Sequence, residues 1–409
     1  MVPSDSAAST LGFCTLDDYA SLIGPAAVDR IRAKANRMST AHVINVSSTF
    51  YGGGVSEMLT PLTLMMNALG IETGWRMIQG TPAFFTITKK MHNALQGEAI
   101  EITPAEKDIY EQVVFENAVR LHIEDCDAVI VHDPQPLALV DHFADEVPWF
   151  WQCHVDLSQP HHSAWSYLRG FAEKYDANVF TLPEYGKPLA TEQRFIWPAI
   201  NPFSPKNRDL TDAEIADCLA RHRIPTDRPL IVQISRFDRW KDPLGVIEAV
   251  RRARAAVDCT LVLLSNNAVD DPEGEVLLET IRNSPDERVI VLNVDDPVLV
   301  NALQRSAAVV LQKSTREGFG LTVTEAMWKG AVVVGGNVGG IRRQIRNGEN
   351  GFLVDSVDEA AARIVQILQT PGLRGRLGVE ARETVRQNFL MSRLAEDWLD
   401  LLAEFSAPA

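Results

Sequence analysis

Glu317 and Glu325 stand eight positions apart around a Gly-Phe-Gly turn, in Arg316-Glu317-Gly318-Phe319-Gly320-Leu321-Thr322-Val323-Thr324-Glu325-Ala326. Gly318 and Gly320 admit backbone conformations closed to other residues and let a ligand approach the main chain. The spacing predicts a helix from Leu321 to Trp328, whose first amides favour an anion. Such a loop suits a sugar together with its nucleotide. The competing reading makes Glu325 a solvated helix residue and Glu317 a first-turn charge favoured by the helix dipole.

A second candidate is Ser235-Arg236-Phe237-Asp238-Arg239-Trp240-Lys241-Asp242-Pro243, which directly follows an apolar run. Two cations at a strand end suit a diphosphate. Charge-assisted hydrogen bonds are worth about 1.5–3 kcal/mol each, so Arg236 and Lys241 together could supply about 3–6 kcal/mol. The plainer alternative is surface ion pairing with Asp238 and Asp242, worth about 0–1 kcal/mol. Gly52-Gly53-Gly54 gives a side-chain-free loop ahead of a helical run, Val55 to Leu69, and phosphate binding competes there with an ordinary loop. No Gly-Lys-Ser/Thr ends that run, so it is no Walker loop.

His132, in His132-Asp133-Pro134-Gln135-Pro136, and His154, in Cys153-His154-Val155-Asp156, both fall at strand ends. A neutral imidazole there could donate to a sugar hydroxyl, although a lone histidine is more often structural. Trp75, Phe84 and Phe85 offer a stacking surface for a sugar, with burial in a core as the default.

These loops need strands to carry them. His42–Ser47, Trp75–Ile78, Ala128–Val131, Trp149–Val155, Val179–Leu182 and Phe195–Trp197 are the strand candidates of the first half. Leu230–Ser235, Leu261–Ser265, Val289–Asn293, Ala308–Leu311, Val332–Gly335 and Phe352–Val354 follow in the second. Alternation with helical patterns predicts an α/β chain with parallel sheets covered by helices. Ligands meet such sheets at the carboxyl ends of their strands. Prolines 198, 202 and 205 break the pattern and mark a boundary. The expected division is 1–200, with a helical extension over 1–38 that includes an amphipathic helix Leu16 to Met38, then 201–388. A carboxyl-terminal helix over 389–409 is expected to pack back on the first domain, and Gly378 to Phe405 reads as helical with a break at Asn388. Two doubly wound halves facing a central cleft would place the main site in that cleft.

Composition limits the alternatives. With 46% hydrophobic and 23% charged residues the chain is globular, and a net charge of −15 argues against a nucleic-acid binder. Neither a membrane-length apolar span nor a leader is found, so a cytoplasmic location is the default. Five scattered cysteines without Cys-x-x-Cys spacing indicate neither a disulfide framework nor structural zinc. His161-His162 has no helical His-x-x-x-His partner and no acidic cluster, so no metal site is expected there.

The residues quoted above match a known pattern over nearly the whole chain. Ser235 to Asp238, the Glu317–Glu325 pair and the Gly52–Gly54 loop resemble the donor-site motifs of retaining GT-B glycosyltransferases, in the group containing sucrose and trehalose synthases. Phe50 to Glu57, His132 to Pro136, Cys153 to Ser158, Leu182-Pro183-Glu184-Tyr185 and Glu317 through Gly330 resemble the trehalose glycosyltransferring synthases more narrowly. The resemblance implies reversible transfer of glucose from a nucleoside diphosphate glucose to glucose, giving α,α-trehalose with retention. It implies that Arg236 and Lys241 hold the diphosphate with Gly52, Gly53 and Gly54. Glu325 would bind the ribose, Glu317 the donor sugar, and Gly318, Phe319, Gly320, Leu321 and Thr322 would complete the donor loop. His154 would sit near the reacting carbon, with His132, Asp133, Gln135 and Asp156 toward the acceptor.

No cofactor and no metal are implied, since cationic side chains and helix termini do that work. The partners implied are a nucleotide sugar and a small sugar acceptor, without nucleic acid or membrane, and a homodimer is left open. Ser265-Asn266-Asn267-Ala268 departs from the glycine-containing turn expected there, which leaves the base open. Another acceptor on the same fold, a nucleotide-sugar epimerase, a hydrolase using Glu317 and Glu325, and a sugar-binding protein without turnover are the competing functions.

Overall fold

The computed structural model describes residues 14–49, 53–123, 125–143, 147–265, 272–283 and 286–405. Residues 1–13, Phe50, Tyr51 and Gly52 of the glycine loop, and Asn266 to Ala268 lie outside these. The chain divides into two compact units, Met1–Pro198 with Met391–Ala409, and Ala199–Leu390.

The first unit holds six parallel strands, β1 (His42–Ser47), β2 (Glu72–Met77), β3 (Ala128–His132), β4 (Trp149–Cys153), β5 (Ala177–Phe180) and β6 (Glu192–Phe195). Their order is β2-β1-β3-β4-β5-β6, which reverses direction between β1 and β3. β3, β4 and β5 are buried along their whole length, as expected of strands covered on both faces. β6 comes three residues earlier than its apolar signal, Phe195–Trp197. It is an edge strand of partly exposed side chains, so no apolar run marks it.

Leu16 to Met38 is not one helix. Gly24, at φ +83°, ends a short helical segment, and Pro25 opens the helix Pro25–Asn36 at the position where its missing amide costs nothing. The helix Met391–Phe405 packs on Pro25–Asn36 and on Gly54–Ala68. Arg30 and Lys34 each reach Glu396 at 2.7 Å. Trp398 is buried against Phe150, with ring centroids 6.4 Å apart.

The second unit holds β7 (Leu230–Ile234), β8 (Thr260–Ser265), β9 (Val289–Asn293), β10 (Ala307–Gln312), β11 (Val333–Gly336) and β12 (Phe352–Val354), again parallel. The order β12-β11-β10-β7-β8-β9 reverses between β7 and β10. Ligand crevices of open parallel sheets form where the order reverses, outside the carboxyl ends of the two strands concerned. In the second unit those ends deliver Ser235 to Lys241 and Lys313 to Gly320. In the first they deliver Gly53-Gly54 and His132-Asp133. Among the described residues, no helix is long and apolar enough to cross a membrane.

Candidate active site

Two loops meet at the reversal of the second sheet, and three links join them. Thr315 N donates to Trp240 O at 2.7 Å, Lys313 pairs with Asp242, and Lys241 Nζ reaches Glu317 Oε2 at 2.5 Å. Each loop is braced locally. Asp238 Oδ1 accepts from the amides of Trp240 and Lys241 at 2.9 and 3.0 Å, and Gln233 Nε2 holds Lys241 O at 2.8 Å. Asp242 sits in the left-handed region, φ +48°, while its Oδ1 accepts from Gly245 N and starts the helix Pro243–Ala253.

Lys241 therefore points at Glu317, not at Asp242. Both side chains are largely shielded, 19% and 11% exposed, and Ser314 Oγ adds a second donor to Glu317 Oε2 at 3.2 Å. Surface ion pairing does not describe this pair. It fits Arg236 better, whose guanidinium is 53% exposed and lies 3.9 Å from Asp238.

The turn after β10 depends on close backbone approach. Gly320 has φ +88° and precedes the helix Leu321–Trp328, leaving the Leu321 and Thr322 amides without intrahelical acceptors. A Cβ on Gly340 would lie 2.4 Å from Phe319 Cα, and one on Gly336 would lie 2.1 Å from Ser314 O. Gln344 Nε2 holds Phe319 O at 2.7 Å, and Thr324 Oγ1 donates to Gln344 Oε1 at the same distance. Gly318 O accepts from Gly340 N at 3.2 Å. The Phe319 ring is buried against Phe389, so the backbone of Phe319, not its ring, is what this loop can offer a ligand.

Glu325 is 4% exposed, which rules out the solvated alternative. Lys206 Nζ lies 3.5 Å from its Oε1. Lys329, anchored on Asn207 Oδ1 at 2.8 Å and Gln304 Oε1 at 2.7 Å, donates to the Glu325 carbonyl. A buried carboxylate beside a lysine is placed to accept from hydroxyls.

The first unit builds a polar cluster at the reversal of its own sheet. His132 Nε2 lies 3.0 Å from Asn45 Oδ1 on β1, and His132 Nδ1 lies 3.1 Å from His154 Nε2 beyond β4. Burial lowers the pKa of both imidazoles; the His154 ring lowers that of His132 further, while Asp133 works in the opposite direction on His154. His132 is 1% exposed, and both of its ring nitrogens are engaged by protein partners, Asn45 and His154. Asp133, at φ +63°, spends Oδ1 on the His154 amide at 2.9 Å. Asp156 Oδ1 accepts from Ser158 N at 2.8 Å, and Gln135 Oε1 is buried with no hydrogen-bond partner among the described residues. Gly53, at φ +93°, precedes the helix Gly54–Ala68, and its carbonyl accepts from Ser56 Oγ at 3.0 Å.

Phe84 is core, stacked on Tyr110, while Trp75 donates to Ser47 Oγ at 2.8 Å and Phe85 is exposed. Asn45, Ser314, Gln344 and Lys206 were not singled out from the sequence. Asn45 had a signal, a polar residue inside the buried run His42–Ser47, because a buried amide must find partners.

Residues 45–187 match the family model described as the amino-terminal domain of trehalose synthase, and residues 216–384 match glycosyl transferases group 1. The chain is 42% identical over 396 residues to a trehalose synthase of Pyrococcus horikoshii, covering 95% of each. It is 40% identical over 408 residues to one of Rubrobacter xylanophilus, covering 96% of this chain and 97% of that one. Among solved structures, the α,α-trehalose 6-phosphate synthase of Burkholderia multivorans superposes with a TM-score of 0.71 at 15% identity, over 90% of this chain and all of the other. Anabaena HepE in complex with UDP-glucose gives 0.69 at 16%, over 89% of this chain and all of that one. At such identities the likeness is one of fold, two Rossmann-like units of the GT-B class. The identities of 40 and 42% across nearly whole chains carry more, and with the loop chemistry at both sheet reversals they make this chain a member of the trehalose synthase family of glycosyltransferases.

Proposed function

We propose that the chain transfers glucose from a nucleoside diphosphate glucose to free glucose, forming α,α-trehalose with the donor's anomeric configuration retained, and that the reaction runs in both directions. The observation that carries this reading is the Lys241–Glu317 pair at the reversal of the second sheet, with Arg236 on the same loop as Lys241. The pair offers a cation for a phosphate and a carboxylate for a sugar hydroxyl within one hydrogen bond of each other.

In the second unit, Arg236 and Lys241 take the diphosphate, the Leu321 and Thr322 amides add donors, Glu317 accepts from the donor sugar and Glu325 from the ribose. In the first unit, His154 meets a sugar hydroxyl, and the Gly53–Gly54 turn leaves room for a ligand against the backbone. The donor's C1–O bond breaks as the acceptor hydroxyl attacks on the same face, and its proton passes to the leaving phosphate oxygen. No enzyme nucleophile is needed. The protein's share is to stabilise charge on the departing diphosphate and to hold the two sugars together.

Incubation with uridine, adenosine and guanosine diphosphate glucoses plus glucose tests this, with linkage read by NMR. At least one donor is expected to give α,α-trehalose and free nucleoside diphosphate, and trehalose with that diphosphate to regenerate the nucleotide sugar. Trehalose formed from maltose alone, glucose released from trehalose without nucleotide, or turnover requiring inorganic phosphate would overturn the reading.

A further inference from the structure

The three side chains Asn45, His132 and His154 form one hydrogen-bonded line, and its direction can be worked out atom by atom. Asn45 Nδ2 faces the carbonyl of Gly74 at 3.4 Å, which turns Oδ1 toward His132. An amide oxygen only accepts, so His132 Nε2 carries the hydrogen. Burial keeps both rings neutral, and a neutral imidazole has one donor and one acceptor nitrogen. His132 Nδ1 is then the acceptor, and the hydrogen in the 3.1 Å contact belongs to His154 Nε2. His154 Nδ1 is left with its lone pair. The rings are nearly parallel, with centroids 5.4 Å apart, and Asp133 Oδ1 holds the His154 amide at 2.9 Å.

We infer that Asn45 and His132 are positioning residues that set the tautomer of His154, so that His154 presents an unprotonated Nδ1 and binds a sugar hydroxyl as acceptor, not donor. The inference deepens the proposed function and rests on it for the identity of the ligand. The expectation drawn from sequence, a histidine donating to a hydroxyl, is reversed by a residue two strands away. An acceptor nitrogen orients the hydroxyl's hydrogen and leaves its oxygen lone pairs turned outward. A ligand offering only acceptors there gains nothing.

The test is carried out on the full-length protein without ligand, labelled with 15N in its histidines. Long-range proton–nitrogen correlation spectra distinguish a protonated from an unprotonated ring nitrogen, and His154→Gln identifies the resonance. The wild type is expected to show His154 with bare Nδ1 and protonated Nε2. Asn45→Leu, which removes the acceptor, moves His154 toward the other tautomer. His132→Gln can both donate to Asn45 and accept from His154, so it keeps kcat within about threefold, whereas His132→Phe lowers it at least tenfold, the effect of about 1.4 kcal/mol. A wild-type His154 with hydrogen on Nδ1 overturns the inference without any variant, as does a tautomer indifferent to Asn45→Leu. If the tautomer is as stated but no nucleotide sugar is consumed, the proposed reaction fails and the relay stands.

Discussion

Lys241 is shared between a carboxylate inside the protein and, on the proposed reading, a phosphate outside it, and this fixes the sign of a double-mutant cycle. Removing the ammonium with Lys241→Ala deletes one charge-assisted hydrogen bond, worth about 1.5–3 kcal/mol, or roughly 10- to 150-fold in Kd for the free nucleoside diphosphate. It also leaves the Glu317 carboxylate, only 11% exposed, beside the ligand without the Lys241 ammonium. At a separation of roughly 6 Å and an effective dielectric of about 20, carboxylate and phosphate repel by about 2–3 kcal/mol. Glu317→Gln alone should leave diphosphate binding unchanged or tighter while transfer falls, because the competitor for Lys241 is gone but the sugar's acceptor is weakened. In the Lys241→Ala background the same change should restore roughly 30- to 150-fold of the lost affinity. Calorimetric titration of the four proteins with uridine and adenosine diphosphates reads every term. Lys241→Ala binding within about twofold of wild type, or a double variant weaker than Lys241→Ala, would refute the reasoning.

Arg236→Ala removes an exposed guanidinium and should leave folding intact while lowering the rate at subsaturating donor at least tenfold, about 1.4 kcal/mol; a near-normal rate counts against its place on the diphosphate. Gly336→Ala drives a methyl into Ser314 O, so it should cost roughly 1–3 kcal/mol and depress transfer by shifting Ser314 from Glu317, whereas Gly375→Ala, with nothing within 4 Å, should be neutral or slightly stabilising in thermal melts. Because the folded-state pKa values of His132 and His154 lie below the ordinary 6.5, their contribution to stability is complete above pH 6.5 and is lost as pH falls from there toward the lowered values. The melting temperature should therefore drop between pH 7.5 and 5.5, by less in His132→Gln, and an equal drop in both proteins speaks against the assignment.

Where a strand is covered on both faces its residues announce it, as in Ala128–His132, Thr260–Ser265 and Ala307–Gln312, which are buried along their whole length. Glu192–Phe195 was displaced because an edge strand is selected by its backbone pairing with β5 and leaves its side chains half in solvent. The break at Gly24-Pro25 had its signal in the two residue types, which the apolar spacing of Ile23, Ala27 and Ile31 obscured. Arg236, Lys241, Glu317 and His154 were legible as groups at strand ends. Their partners were not. That Lys241 answers Glu317 across 76 positions follows from strand order, which no local pattern encodes. The same holds for His132 and Asn45, 87 positions apart on neighbouring strands.

The route of the backbone has a consequence for biosynthesis. Ile200 and Leu390 form a β-bridge, with Ile200 N donating to Phe389 O at 2.9 Å, so the 199–390 unit enters and leaves through adjacent residues, like a bead threaded on a closed loop. It has its own sheet and core and can mature as soon as Leu390 clears the ribosome. The amino-terminal unit, although made first, is completed last, since Trp398 and Glu396, the partner of Arg30 and Lys34, arrive only with the helix Met391–Phe405. Termination at Leu390 should thus leave a folded 199–390 unit joined to an unfinished partner that exposes the seat of Trp398 to chaperones.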